Sequence, residues 1–116
     1  MHWPAPITMH EVAQDRGPVL VTVEYHIDPN NRTAFLQALS HYARSRRRDG
    51  AYDWHVFDDP AQEGRLIETF LTDSWLDHQR LHERVTRTDR HYEQQLLRFQ
   101  ISAPKTTHLI DAMSDK

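Results

Sequence analysis

The sequence predicts one α+β domain in which strands and helical segments follow the order β-α-β-β-α-β. Three observations predict it. Val19, Val21, Val23, Tyr25 and Ile27 recur at every second position, the period of a strand with one apolar side. Phe35, Ala38, Leu39 and Tyr42 recur at helical spacing. "AYDWHVFDD" and "RLIETFLT" are two strand-like runs separated only by "PAQEG", whose Pro and Gly suit a hairpin loop and an antiparallel pair.

The elements follow in order. "PVLVTVEYHI" sets its aliphatic side against a mixed one of Leu20, Thr22, Glu24 and His26. Asp28 is the expected N-cap of the first helix and Pro29 its first residue, because Pro lacks the N–H that a first turn leaves unpaired. That helix ends in a basic turn before Asp49-Gly50. After the hairpin, Ser74-x-x-Asp77 resembles a capping box and opens a second helical segment. Thr86-x-x-Asp89 repeats the pattern and breaks that segment in two, with Tyr92, Leu96 and Phe99 as the buried stripe of its second part. "KTTHLID", after Pro104, is the final strand. This is the ferredoxin-like split βαβ order, with four antiparallel strands and the helices on one face. The uncovered sheet face is then expected to be closed by another copy of the chain, making a homodimer.

The boundaries expected are a Pro-containing linker at 1–17, the domain at 18–112 and a tail at 113–116. At 116 residues the chain holds one modest core. A formal net charge of -3 argues against a nucleic-acid partner. The absence of cysteine excludes disulfides, thiolate chemistry and cysteine-ligated metals. The longest apolar run, around "PVLVTV", is far shorter than the roughly 20 residues of a membrane-spanning helix. The N-terminal stretch lacks the basic and apolar regions of a signal peptide.

Two resemblances rest on quoted residues. The strand followed by "SWLDHQRLHE" resembles the strand, helix and histidine pattern of the dimeric α+β barrel superfamily, which includes antibiotic-biosynthesis monooxygenases and heme-degrading relatives. "HWPAP", "GPVLVTVEYHID", "RRRDGAYDWHVFDD" and "ETFLTDSWLDHQRLHERVTRTDR" together resemble the C-terminal tail of major facilitator superfamily transporters of the enterobactin-exporter-like branch, from about His2 to Ala112. The second resemblance implies a detached soluble domain or single-domain relative, cytoplasmic, at the inner face of the membrane when joined to a transporter. Its further partner would be the transporter's membrane domain.

Candidate site residues fall into three groups. His78 and His82 share a helical face, but the run is His-Gln-Arg-Leu-His, without the Glu that a metalloprotease helix places after its first His. Glu68, His55 or Glu83 could add a third ligand, yet nothing in the spacing requires one, so no metal is assigned. Partly exposed, hydrogen-bonded histidines at a helix edge are the favoured reading, and the superfamily resemblance adds that both would line its cavity.

The mixed face of the first strand, with Thr22, Glu24 and His26, is expected to join Glu68 and Phe70 of the third strand around a semi-polar cavity for a small hydrophobic ligand. Trp54 would be its aromatic wall. That cavity requires this face to point into a closed barrel; the favoured reading is the plainer one, with Glu24 and His26 near the sheet edge in water and Trp54 in the core. Arg44, Arg46, Arg47 and Arg48 complement a helix dipole, and the sharper reading is attraction to an anionic membrane surface, about 1 kcal/mol per basic residue. No nucleophile triad, phosphate loop or dinucleotide fingerprint is visible, and no cofactor is assigned. Two functions remain: a non-catalytic accessory domain of an efflux transporter with a dimerisation, regulatory or ligand-sensing role, or a cofactor-independent monooxygenase-like enzyme acting on a hydrophobic aromatic substrate.

Overall fold

Pairing alternate valines with two neighbours makes the first strand the centre of the molecule. A computed structural model describes residue 8, residues 11–83 and residues 87–113, with 81–83 and 87–89 described in backbone alone. Strand β1 (Val19–His26) pairs antiparallel with β3 (Arg65–Thr72) on one side and β4 (Lys105–Ile110) on the other, and β2 (Tyr52–Asp58) completes the order β2-β3-β1-β4. The helices are α1 (Arg32–Arg48), α2 (Trp75–Glu83) and α3 (Arg87–Phe99). This is the expected α+β, ferredoxin-like architecture.

Local chemistry accounts for the element ends. Asp28, expected as the N-cap of the first helix with Pro29 as its first residue, instead caps a separate 3-10 turn, Pro29–Asn31, its Oδ1 accepting the Asn30 N–H at 2.9 Å, and α1 begins only after that turn, with Asn31 as its N-cap. Ser74 Oγ accepts the Asp77 N–H at 3.1 Å, the first half of the expected capping box. The expected Thr86-x-x-Asp89 cap begins outside the described residues. Between β2 and β3, Gly64 sits at φ 83, and a Cβ there would lie 2.2 Å from the Ile27 carbonyl oxygen, so only glycine closes the hairpin against β1. Opposite it, β2 carries a bulge between Tyr52 and His55, with Asp53 at φ 51.

The core lies between the sheet and the helices. Val19, Val21, Val23, Tyr25 and Ile27 are all buried, and Phe35, Leu39 and Tyr42 of α1, Trp75 of α2 and Leu96 of α3 pack against them. Phe35 is wholly buried, with the Tyr25 ring 5.1 Å and the Phe99 ring 6.3 Å away, both edge-on. No helix among the described residues is long and apolar enough to cross a membrane.

Candidate functional site

Register decides which residues can meet. Cross-strand partners share a face, and β1 pairs Val23 with Glu68, Val21 with Phe70 and Tyr25 with Leu66. Glu68 and Phe70 therefore lie on the helix-covered face. Thr22, Glu24 and His26 lie on the other. The cavity expected to combine these two sets does not exist, because residues one position apart on a strand point to opposite sides.

The covered face holds a buried polar cluster. Glu68 is 0% exposed; its Oε1 accepts the Tyr25 hydroxyl at 2.8 Å and its Oε2 accepts the Trp54 indole N–H at 2.7 Å. Arg46 Nε lies 2.9 Å from the same Oε2. The Arg46 guanidinium is 4% exposed and packs over the rings of Tyr42 at 4.7 Å and Phe70 at 4.8 Å. Arg46 was expected with Arg44, Arg47 and Arg48 on a basic surface, and is instead an interior group. The stripe of α1 explains it: four residues beyond Tyr42 the same face returns, and Arg46 occupies it. The Arg47 guanidinium covers the outer side of Trp54 at 5.2 Å, while Arg48 pairs with its neighbour Asp49 at 3.3 Å and Arg44 is exposed.

Burial pushes the Tyr25 hydroxyl well above its ordinary pKa, with the charge of Glu68 adding to the shift and Arg46 opposing it. Burial, the largest single influence, lowers Arg46, but Glu68, Tyr25 and Tyr42 together outweigh it and hold the guanidinium above its ordinary value. Glu93 of α3, 8% exposed, is raised by burial despite the opposing charges of Arg46 and Arg90. The sequence reading does not single out Glu93, and it takes Tyr25 only as part of the apolar side of the first strand and Arg46 only as a surface cation, although Glu93 lies three residues before Leu96 and so on the buried side of its helix.

His78, expected at a partly exposed helix edge, is 0% exposed. Its ring is 4.7 Å from that of His108 on β4 and 5.6 Å from Trp75. The His82 side chain is outside the described residues. Among the described residues no three His, Cys, Asp or Glu side chains come together as a metal-binding group. His55, weighed as a third ligand, instead faces Asp53 at 2.9 Å on the exposed side of β2.

The open face is laid out in rows across four strands. Tyr52, Leu71, Leu20 and Leu109 form an apolar row; His55, Thr69, Thr22 and Thr107 form the next; then come Phe57, Ile67, Glu24 and Lys105. Tyr52, Phe57 and Leu109 are 40%, 53% and 50% exposed, so this face presents large apolar groups to solvent. Its far end is ionic. Glu24 accepts from Arg65 at 2.7 Å and meets His26 at 2.8 Å, and Arg65 also reaches Asp59 at 2.9 Å.

Hydrogen bonding from Arg65 first, and from His26 second, lowers the Glu24 pKa from 4.5 to about 2. A carboxylate lowered on folding contributes stability that is complete above about pH 4.5 and is lost as pH falls to about 2. An NMR titration is expected to place the Glu24 midpoint near 2, moving toward 4.5 in Arg65→Gln; an unchanged midpoint in that variant would remove Arg65 as the cause.

A cleft of about 600 Å³ opens instead at the hairpin end of the sheet, around Ile27, Pro29 and the 58–66 segment. Of the carboxylates that line it, Asp58 and Asp59 are already paired with Arg32 at 2.7 Å and Arg65 at 2.9 Å. That cleft and the buried cluster are separate features.

A four-stranded antiparallel sheet with helices on one face and an apolar face left open defines the class: the ferredoxin-like fold of antibiotic-biosynthesis monooxygenases. A putative antibiotic biosynthesis monooxygenase from Caulobacter crescentus shares it at a TM-score of 0.70 and 14% identity, over 83% of this chain and 91% of that one. Rv0793 from Mycobacterium tuberculosis aligns at 0.67 and 17% identity, over 86% and 100%. SnoaB, a cofactor-independent oxygenase from Streptomyces nogalater, aligns at 0.67 and 8% identity, over 83% and 94%. These identities establish the fold alone. The chain itself belongs to the transmembrane secretion effector family, a major facilitator superfamily group whose profile matches residues 1–116. No curated protein matches it in sequence.

Proposed function

We propose that this chain is a non-catalytic accessory domain of a secretion transporter of the enterobactin-exporter-like branch, which pairs with a second copy through its open sheet face. The observation that carries the reading is the apolar row Tyr52, Leu71, Leu20 and Leu109, continued by Phe57 and Ile67, on a face that no element among the described residues covers. The covered face supports the non-catalytic part. Both Glu68 oxygens are engaged by Tyr25, Trp54 and Arg46, an arrangement that positions β2 and α1 rather than presenting a group to substrate. Arg44, Arg47 and Arg48 remain on the outside of α1 as the membrane-surface contact of a domain held at the cytoplasmic face of the inner membrane.

A second reading has its own observation. Trp54, Tyr25, Glu68, His78 and His108 all belong to the layer between sheet and helices, where a hydrophobic aromatic substrate of a cofactor-independent oxygenase would have to enter. Oxygen uptake with a panel of polycyclic phenols separates the two. The accessory-domain reading expects no turnover. Uptake by the wild type that falls at least about tenfold in Trp54→Phe, roughly 1.4 kcal/mol of transition-state stabilisation, would replace it with the enzyme reading.

A further inference from the structure

An α-helix leaves its first N–H groups without intrahelical partners, and each must find an acceptor. In α2 every one of the first four can be traced. The Asp77 N–H goes to Ser74 Oγ at 3.1 Å and the His78 N–H to the Ser74 carbonyl at 3.0 Å, so the element supplies its own partners for these two. The first two go elsewhere. The Trp75 N–H donates to the Arg16 carbonyl at 2.6 Å and the Leu76 N–H to the Gln14 carbonyl at 2.9 Å. Segment 11–18, which reads in the sequence mostly as linker, is thus the cap of a helix almost sixty positions away.

The segment is seated at several further points. Val12 packs against the core. Gly17 lies so close to the turn before α2 that a Cβ would fall 2.1 Å from the Asp73 carbonyl oxygen and 2.8 Å from the Ser74 Cα, both backbone atoms that no side-chain rotation can move aside. The Pro18 carbonyl accepts the Asp111 N–H at 3.1 Å, and the Arg16 guanidinium donates to the Asp111 carbonyl at 3.3 Å, tying the same segment to the end of β4. The residues at the start of α2 are themselves interior: Trp75 is 5% exposed and His78 0%, the latter against His108 on β4.

We propose that residues 11–18 are a coupling strap: displacement of the chain preceding residue 11 is delivered through the Gln14 and Arg16 carbonyls to the first turn of α2, and from there to His78 at its contact with β4. A strap that supplies two of a helix's terminal acceptors has two discrete states, engaged and released, and release frees the N-terminal turn while Ser74 keeps its own two bonds. What pulls on the strap depends on the accessory-domain reading, in which a transporter's membrane part precedes this segment. Whether the strap grips α2 does not.

Amide exchange of the full chain, followed residue by residue by NMR in wild type and Gly17→Ala, tests the proposal. The added methyl must push segment 11–18 away from Asp73. The Trp75 and Leu76 amides are expected to exchange at least about tenfold faster, the His78 imidazole resonances to shift with them, and the central-strand amides of Val21 and Val23 to keep their wild-type rates. Where Gly17→Ala does not fold, Arg16→Ala, which removes an exposed tie to Asp111, gives the same pattern at smaller amplitude. Unchanged Trp75 and Leu76 rates overturn the strap, as does an acceleration shared equally by Val21 and Val23, which marks only lost global stability. Faster exchange with a silent His78 overturns transmission beyond the first turn. Light scattering on the same samples reports self-association separately, so failure of the dimer leaves this result standing and failure of the strap leaves the dimer standing.

Discussion

Glu68→Ala is expected to cost about 3–5 kcal/mol of folding stability, because it leaves the guanidinium of Arg46 buried with its counter-charge gone. The carboxylate is fully enclosed and takes the Tyr25 hydroxyl, the Trp54 indole and Arg46 together, so one truncation strands three donors. Against a typical total of about 5–15 kcal/mol, a loss of this size brings the domain to the margin of folding. Urea denaturation reads it directly. The control is the pair Glu68→Leu with Arg46→Met, which removes both charges and is expected to lie within about 1 kcal/mol of wild type or above it, since an apolar replacement of a buried ion pair is often neutral or stabilising. If the single and the double variant fall equally, the cluster acts through packing volume and not through its charges.

The second large effect falls on association. Phe57→Asp combined with Leu109→Asp is expected to weaken self-association at least about hundredfold, near 2.8 kcal/mol, by setting unpaired carboxylates in a face that must be desolvated. Both positions are about half exposed in the single chain, at 53% and 50%, so its folding stability should change by only about 0.5 kcal/mol. Sedimentation equilibrium across a concentration series checks the first number and urea denaturation the second. A variant that associates as tightly as wild type would place any interface elsewhere on the molecule.

Much of the fold was legible because its signals are local. Alternation of Val19, Val21 and Val23 marks the central strand, Asp28-Pro29 marks the entry to the first helix and Ser74 caps the second, each within a few residues of the feature it predicts. The candidate site was legible only in part, since its geometry depends on relations between distant segments. β3 carries apolar residues on both faces, Leu66 and Phe70 on one and Ile67 and Leu71 on the other, so its sequence alone does not say which face meets the helices. The pairing of Val23 with Glu68 settles it, and moves Glu68 and Phe70 away from Glu24 and His26. Arg46 illustrates a different loss. A run of four basic residues within five positions reads as a solvated surface, yet helical periodicity places Arg46 on the buried stripe, where the carboxylate of Glu68, 22 positions later, meets it. His78 shows the same limit: a polar residue on a short helix looks exposed until β4 brings His108 against it.

Whether a second copy binds the open sheet face is decided by multi-angle light scattering of the chain at low micromolar concentration. The expected mass is near twice the 13.8 kDa of one chain. A clean mass of 13.8 kDa at that concentration would contradict it.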